Sequence, residues 1–241
     1  MVIPVFNEQE TISQVIAAVA ALPLDTEIVV VDDCSTDRTP SVLKEIAPRF
    51  PNLRLHQHQK NAGKTASVHT GIALTQGDVV IIQDADLEQD PREIPKILQP
   101  ILDGKAQAVF GSRFLEKAKT AEMTWGQWLG NRSVTLFSNL FTGYRLTDVE
   151  TGYKAIRGDI FRTMVLTSTG FGIEVEIPAL LAARSIRVVE VPVTYNARDY
   201  RAGKKIHVGD GLMALWYVFK YNVLANRRVA APQRAKNVST K

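Results

Sequence analysis

Two aspartates close an apolar stretch of the sequence at a spacing that could hold a metal ion. Asp84 and Asp86 follow residues 79–82, which are apolar throughout, as a central parallel strand is when both of its faces are buried. Alternate side chains of a strand point to the same face, so the two carboxylates are expected to project together. Because carboxylates at a buried strand end repel each other unless a cation lies between them, the pair predicts a metal-dependent site.

Asp90 comes shortly after this pair and fits a different role. Pro91 follows it directly, ahead of an apolar helical stripe, and a capping acid followed by proline is typical of a helix N-terminus. We therefore expect Asp90 to cap that helix, whereas Asp84 and Asp86 lie too far upstream to do so.

Two further polar pairs come at the ends of predicted strands. Asn7 and Glu8 follow the first strand, and Asp32 and Asp33 follow the second. Any one pair could belong to a turn, and Asn7 has the spacing of a capping box with Glu10. Ligands of open α/β sheets bind at the carboxyl ends of the strands, so three such pairs at one edge indicate a binding site.

Oxygen ligands dominate this predicted site. The acids have no pair of histidines or cysteines near them, which favours Mg²⁺ or Mn²⁺ over zinc. Mg²⁺ usually completes its shell with the phosphate oxygens of a ligand, so a nucleoside diphosphate is the expected occupant. The four histidines lack metal-ligand spacing, and we expect structural or surface roles for them.

Strands alternate with helices along much of the sequence. The predicted strands are 2–5, 27–31, 53–58, 79–82, 108–110 and 187–194, and the predicted helices include 64–75, 91–102, 129–141 and 173–183. This alternation predicts an α/β fold with a single, mostly parallel central sheet covered by helices on both faces. We expect one catalytic domain over residues 1–222 and a basic, flexible tail over residues 223–241.

The composition describes an ordinary globular protein, with 45% hydrophobic and 22% charged residues. Its single cysteine, Cys34, excludes an intrachain disulfide and fits a reducing compartment. No stretch approaches the ~18 apolar residues of a membrane span, and the N-terminus lacks a signal-peptide pattern. The sequence begins inside a predicted strand, which leads us to expect a few further residues upstream.

The net charge of +4 is concentrated near the C-terminus. Arg198, Arg201, Lys204 and Lys205 form one basic group, and the tail carries another. A local basic patch suits a phosphate-bearing ligand or an anionic membrane at least as well as nucleic acid. We predict no nucleic-acid partner.

Seven motifs occur in the order found in a known family. They are VIPVFNE (2–8), VVDDCSTDRT (30–39), NAGK (61–64), QDADLEQDP (83–91), GSR (111–113), TGYKAI (151–156) and RAGKKI (201–206). Together they resemble the family 2 glycosyltransferases of the polyprenyl-phosphate type, the dolichyl-phosphate mannose or glucose synthases, over roughly residues 2–222. The resemblance implies a GT-A fold, a UDP- or GDP-linked sugar donor, and inverting transfer to a polyprenyl or dolichyl phosphate.

The resemblance also implies roles for individual residues. Those implied to bind the nucleotide sugar are Pro4, Asn7, Glu8, Asp32, Asp33, Lys64, Asp84, Arg201 and Lys204. Asp84 and Asp86 match the D-x-D motif, and Glu88 stands where relatives carry a further residue of the metal shell, with Mg²⁺ or Mn²⁺ as cofactor. Arg113 would meet the phosphates or the acceptor. Asp86, Arg113 and Asp148 are the predicted catalytic residues.

The acceptor determines whether the reaction needs a general base. A phosphate monoester has a second pKa of ~6, so it is largely ionised at neutral pH and needs none. A hydroxyl acceptor needs one, and Asp148 or Glu150 is the best-placed candidate. Asp148 could equally be an ordinary turn acid before Gly152.

Residues 210–221 have two interpretations. Leu212, Leu215, Trp216 and Phe219 form a helical apolar stripe, which fits a helix docked on the core. With the basic tail beside it, the same helix fits an interfacial helix that brings an enzyme to a lipid substrate. We favour peripheral contact with the cytoplasmic face of the membrane through this helix and the basic loop.

Three alternatives stay open at this point. The acceptor could be a saccharide or another hydroxyl compound. The chain could be a nucleotidyltransferase of similar fold, although it lacks a G-x-G-T-R-type loop after the first strand. It could also bind nucleotide sugars without catalysis. The sequence leaves the sugar, the choice of UDP or GDP, and the oligomeric state undetermined.

Overall fold

A computed structural model describes residues 1–115, 120–121, 125–196 and 216–223. The strands are β1 (Val2–Val5), β2 (Ile28–Asp32), β3 (Leu53–Gln57), β4 (Val79–Ile81), β5 (Ala108–Ser112), β6 (Thr120–Ala121), β7 (Lys154–Arg157), β8 (Val188–Pro192) and β9 (Tyr195–Asn196). The helices are α1 (Ile12–Ala20), α2 (Thr39–Ile46), α3 (Lys64–Leu74), α4 (Ile94–Leu102), α5 (Trp125–Thr142), α6 (Gly158–Phe161) and α7 (Ile173–Ala182). A further helical segment spans 216–223. Arg201, Lys204 and residues 224–241 of the predicted tail lie outside the described residues, whereas residue 223 ends the helical segment.

The central sheet is one mostly parallel layer, as predicted. β1, β2 and β3 pair in parallel, and β5 pairs in parallel with β8. β7 runs antiparallel between β4 and β5. A parallel bridge between Val2 and Ile82 joins the two groups of strands, so the order across the layer is β3-β2-β1-β4-β7-β5-β8. The carboxyl ends of β1, β2, β4 and β5 therefore meet at one edge, where β7 begins.

Helices cover both faces of this layer. Ile3 of β1 belongs to a core with residues of α1 and α4, whereas its neighbour Val2 belongs to a core with residues of α3 and α7. Val109 and Phe110 of β5 divide between the two cores in the same way. Because strand side chains alternate between faces, this division places one helical layer on each side of the sheet. Each fully buried aliphatic side chain stabilises the fold by about 1.5–3 kcal/mol.

The predicted capping box at the start of α1 is wrong. The helix begins at Ile12, and no side chain caps its first turn. Asn7 instead has a left-handed backbone with φ of 55°, and its Oδ1 accepts the N–H of Thr36 at 2.8 Å. The Asn7 side chain therefore links the loop after β1 to the loop after β2. The predicted cap at Asp90 is confirmed, since its carboxylate accepts the Arg92 N–H at 2.9 Å.

The helical segment at 216–223 fits both interpretations of the C-terminal helix in part. Val218 and Tyr221 are buried in the core shared with α7, whereas Trp216 and Phe219 are exposed. One face is therefore docked on the core while part of the apolar stripe stays outside it. Within the described ranges, no helix is both long enough and apolar enough to cross a membrane.

Candidate active site

Asp33 follows β2 and holds the turn that leads into α3. Its Oδ1 accepts the N–H of Ala62 at 3.0 Å, and its Oδ2 accepts the N–H of Gly63 at 2.7 Å. His58 Nδ1 also lies 2.7 Å from Oδ1, which is the structural role expected of a histidine here. Burial alone would raise the pKa of Asp33, but the hydrogen bonds that it accepts outweigh burial and lower the pKa. Asp33 thereby fixes the position of Lys64, the first residue of α3.

Asp32 and Glu8 join the loops at the same edge. The Asp32 carboxylate is buried and accepts the N–H of Ser35 at 3.1 Å and the side-chain amide of Gln57 at 2.9 Å. The backbone N–H of Glu8 donates to Thr39 Oγ1 at 2.9 Å. These bonds hold the loops after β1 and β2 against each other and against β3, so the predicted nucleotide-binding residues lie on a fixed support.

Lys64 places a cation against the first acid of the D-x-D pair. Its Nζ lies 2.8 Å from Oδ1 and 3.1 Å from Oδ2 of Asp84, and it donates to Glu174 Oε1 at 3.1 Å. Burial would lower the pKa of Lys64, but the Asp84 and Glu174 carboxylates raise it, so the ammonium stays charged. Glu174 also accepts a hydrogen bond from Lys154, which is fully buried.

Sequence reasoning missed Glu174 and Lys154. The available signal was in α7, where two acids stand in an otherwise apolar helix (IEVEIPALLA). A charged side chain that is buried on such a helix needs an opposite charge or hydrogen-bond donors as partners. The sequence offered no means of identifying that partner.

Asp86 and Glu88 lie on a tight loop beyond Asp84. Asp86 Oδ1 accepts the N–H of Glu88 at 3.1 Å, and Glu88 Oε2 accepts the hydroxyl of Tyr195 at 2.8 Å. Between the acids, Leu87 has a left-handed backbone with φ of 60°. A branched residue keeps such a conformation only where the surrounding structure imposes it, and this strain is concentrated at functional sites.

The D-x-D loop fits a metal that is shared with a ligand. The described residues contain no group of three His, Cys, Asp or Glu side chains already arranged around a metal position. Mg²⁺ commonly uses one or two carboxylates together with substrate phosphates, so a preformed protein cage is not required. Asp84, Asp86 and Glu88 provide the carboxylate oxygens that such an ion prefers. Their assignment as metal ligands stays a prediction.

The turn before β7 packs tightly against Asp84. A Cβ added to Gly152 would lie 2.3 Å from Asp84 Oδ2, so a larger residue would displace that carboxylate. The hydroxyl of Tyr153, the next residue, donates to Gln83 Oε1 at 2.7 Å. The TGYKAI motif is thus in direct contact with the D-x-D segment.

Arg113, directly after β5, is fixed by Asp148. Its Nε and Nη2 donate to the two carboxylate oxygens at 2.6 and 2.8 Å, and its backbone N–H donates to Oδ2 at 3.1 Å. Asn131 donates to Oδ1 at 3.3 Å, and Asp148 is fully buried. The guanidinium carbon lies 5.1 Å from the centre of the Tyr195 ring, which connects Arg113 to the Glu88 loop. Asp148 is therefore placed to position Arg113, and its predicted catalytic role stays a prediction.

Glu150 lies two residues after Asp148 and has a raised pKa. Burial and the nearby Glu174 carboxylate raise the pKa of Glu150 to about 7, although two neighbouring cations oppose the rise. Among the described residues, no hydrogen-bond donor reaches this carboxylate. Glu150 therefore exchanges its proton near neutral pH.

Replacing Glu150 by glutamine is expected to stabilise the fold at pH 8 and to change it little at pH 5. The carboxyl ionises near its ordinary pKa of 4.5 in the unfolded chain but only at about 7 in the folded chain. The folded state therefore binds more protons between these values, and its stability falls as the pH rises through them. Glutamine cannot ionise, so the variant does not lose stability in this way as the pH rises. Thermal melts at the two pH values measure the effect, and an equal shift at both would contradict it.

The structure brings together most of the predicted site residues at one edge of the sheet. Those at or beside this edge are Pro4, Asn7, Glu8, Asp32, Asp33, Lys64, Asp84, Asp86, Glu88, Arg113 and Asp148. Arg201 and Lys204 lie outside the described residues. β9 ends directly before that undescribed segment, and the N–H of Asn196 donates to the Glu88 backbone oxygen at 2.9 Å.

The sequence profile of glycosyl transferase family 2 matches residues 1–165. The chain belongs to this family. The matched range contains the three polar pairs, Arg113 and Asp148, and it confirms the family that the motifs predicted. The prediction of a glycosyltransferase is confirmed at the level of the family.

Two relatives of this family 2 chain have names that state a reaction. The dolichol-phosphate mannosyltransferase of Pyrococcus furiosus is 30% identical, over 82% of this chain and 56% of its own length. The undecaprenyl-phosphate mannosyltransferase of Micrococcus luteus is 27% identical, over 84% of this chain and 85% of its own length. The chain thus spans little more than half of the Pyrococcus protein.

A solved structure shows the same fold as this family 2 chain. Glucosyl-3-phosphoglycerate synthase from Mycobacterium tuberculosis, in complex with Mn²⁺, UDP and glucosyl-3-phosphoglycerate, has a TM-score of 0.68 and 19% sequence identity. The superposition covers 94% of this chain and 78% of that one. The predicted GT-A fold is confirmed.

Proposed function

We propose that this chain transfers a sugar from a UDP- or GDP-linked donor to a polyprenyl phosphate, with Mg²⁺ or Mn²⁺ at Asp84, Asp86 and Glu88. The observation that carries the proposal is the placement of these acids beside two fixed cations, Lys64 and Arg113, at one edge of the sheet. Relatives named as dolichol-phosphate and undecaprenyl-phosphate mannosyltransferases support the acceptor class.

In the proposed reaction, an oxygen of the acceptor phosphate attacks the anomeric carbon of the sugar. The bond from that carbon to the donor's diphosphate breaks, and the nucleoside diphosphate leaves with the bonding electrons. A bound metal would stabilise the negative charge that develops on the leaving group. Arg113 would share this load, and its two bonds to Asp148 hold the guanidinium fixed, so little reorganisation is needed as the charge develops.

The bonding of Asp148 favours a phosphate acceptor. Both of its carboxylate oxygens accept hydrogen bonds, from Arg113 and from Asn131. A carboxylate so fully engaged is poorly suited to take a proton from a hydroxyl group. An ionised phosphate requires no such base.

Glu150 supports one alternative, transfer to a saccharide or another hydroxyl acceptor. Its pKa of about 7 suits a general base at neutral pH. Under this alternative, Glu150→Gln would lower transfer to a hydroxyl by at least about 100-fold. Under the main proposal, the same variant transfers to polyprenyl phosphate at nearly the normal rate.

Donor binding can be tested without knowledge of the sugar. UDP and GDP are titrated in thermal melts with and without Mn²⁺, and one of them is expected to raise the Tm only when the metal is present. If neither nucleotide raises the Tm, the assignment of this site as the donor-binding site is wrong. Binding of nucleotide with no transfer to either acceptor class would favour the binding module without catalysis.

We also propose that the chain contacts the membrane peripherally, through α5 together with the helical segment at 216–223. Large apolar side chains of α5 are exposed: Trp125, Trp128, Leu129, Leu136, Phe137, Leu140 and Phe141. Phe141 lies 6.0 Å from Phe219, ring centre to ring centre, so the two helices form one apolar surface. Basic residues flank the second helix in the sequence, and an apolar helical face beside basic residues suits an anionic lipid surface.

The variant Leu136→Glu/Leu140→Glu is expected to bind anionic vesicles at least about tenfold more weakly, because both leucines would bury apolar area in the lipid. The two side chains are 70% and 75% exposed, so the fold should tolerate the change. Co-sedimentation with phosphatidylglycerol vesicles measures binding. The control is Leu102→Glu, at a leucine of α4 that is 62% exposed. Equal losses in both variants would contradict the proposed surface.

A further inference from the structure

Four charged side chains form a continuous series of salt bridges from the interior to the D-x-D loop. Lys154 is fully buried and Glu174 is 5% exposed, and the two form a salt bridge. Glu174 also binds Lys64 at 3.1 Å, and Lys64 binds Asp84 at 2.8 Å. Neither Glu174 nor Lys154 has a part in the proposed reaction. The two lysines balance the charge of the two acids, so these four side chains are neutral as a group without any metal ion.

The position of the Lys64 ammonium determines the net charge that a metal ion would encounter at Asp84. Nζ is within 3.1 Å of both carboxylate oxygens, so the charge of Asp84 is already neutralised. A divalent ion entering alone has to share that carboxylate with the lysine or displace it, and like charges at this separation repel strongly. Glu174 binds the ammonium from the other side and is itself paired with Lys154, and its carboxylate adds negative charge close to the position that a metal would enter.

We propose that Lys64 is a resident cation at Asp84, positioned by Glu174 and Lys154, so that a divalent metal binds tightly only together with the donor's diphosphate. The phosphate oxygens would complete the metal's shell and would give Lys64 a second anionic partner. This inference rests on the proposed function, since it assigns the metal to the D-x-D loop.

The test measures binding of Mn²⁺ alone, in the absence of nucleotide, from the electron paramagnetic resonance signal of the free ion. Lys64→Met keeps the length of the side chain but removes its charge, and it leaves Glu174 paired with Lys154. This variant is expected to bind Mn²⁺ at least about tenfold more tightly than the unmodified chain. Lys64→Arg retains a cation and should restore weak binding. Lys60→Met, at an exposed lysine in the turn before α3, is the matched control and should leave binding unchanged.

Glu174→Gln gives a change of opposite sign. It leaves both lysines and removes one negative charge, so Mn²⁺ alone should bind more weakly than in the unmodified chain. A merely structural role for these residues would weaken binding in both variants. If Lys64→Met binds Mn²⁺ no more tightly than the unmodified chain, the inference is overturned, whatever the behaviour of Glu174→Gln.

These results are distinguishable from a failure of the proposed function. If neither UDP nor GDP binds but Lys64→Met tightens Mn²⁺ binding, the donor assignment fails and the resident cation stands. If a nucleotide binds with metal but Lys64→Met leaves Mn²⁺ binding unchanged, the proposed function stands and the resident cation does not. Thermal melts of each variant verify folding.

Discussion

Asp86→Ala is expected to lower sugar transfer by at least about 100-fold, the scale found when a stabilising group for developing charge is removed. Asp86 follows a buried strand end and is held by the N–H of Glu88 at 3.1 Å. Its loss removes a carboxylate that a metal on the donor diphosphate requires. The variant should also lose the metal-dependent rise in Tm with UDP or GDP, because that rise measures formation of the ternary complex.

Asp90→Asn is the matched control for this variant. Asp90 lies on the same segment, but its carboxylate caps the turn before α4 and pairs with Arg92. Asparagine is also a good cap, so the fold and the transfer rate should both persist. If Asp86→Ala keeps its metal-dependent Tm shift, or if both variants lose activity equally, Asp86 does not hold the metal.

Asp148→Ala is expected to lower the free energy of unfolding by about 3–5 kcal/mol, the cost of leaving a buried ion pair with one partner. Asp148 is fully buried and Arg113 is 9% exposed. Removing the carboxylate leaves the largely buried guanidinium without its two charge-assisted bonds. Transfer should fall as well, since Arg113 loses the group that positions it. Urea unfolding monitored by tryptophan fluorescence measures the stability.

Asp159→Ala provides the comparison, because Asp159 also forms a salt bridge with an arginine. That partner is Arg157, and the two side chains are 60% and 47% exposed. Exposed pairs contribute little, so the urea midpoint should hardly move. Similar losses in Asp148→Ala and Asp159→Ala would show that the Arg113 pair is not the buried, stabilising interaction described above.

Much of the fold could be predicted because it follows from local patterns. The apolar stretch before Asp84 predicts a strand buried on both faces, and Val80 and Ile81 are each 1% exposed. The alternation of strands and helices predicts a parallel sheet. The carboxyl ends of parallel strands lie at the same edge of a sheet, so Asp33 and Asp84 are expected to lie at one edge. The cap at Asp90 depends only on its immediate neighbours.

The parts that could not be predicted depend on contacts between distant residues. Lys64 and Glu174 are separated by 110 positions, and Glu88 and Tyr195 by 107. No local pattern pairs such residues. The sequence therefore did not predict the salt bridges that link Glu174 to Lys64, or the hydrogen bond between Tyr195 and Glu88. The capping box at Asn7 failed for the same reason, since its side chain binds Thr36 of the next loop, a contact that spacing does not encode.

The measurement that tests the proposed function most directly is transfer from UDP- and GDP-linked hexoses to a short polyprenyl phosphate. Each donor is incubated with the purified chain, with Mn²⁺ or with a chelator in excess, and a free sugar alcohol serves as the competing acceptor. We predict a glycosylated polyprenyl phosphate that forms only with metal, and no product on the alcohol. Metal-dependent product on the alcohol alone, or no product from any donor despite metal-dependent nucleotide binding, would contradict the proposed acceptor and reaction.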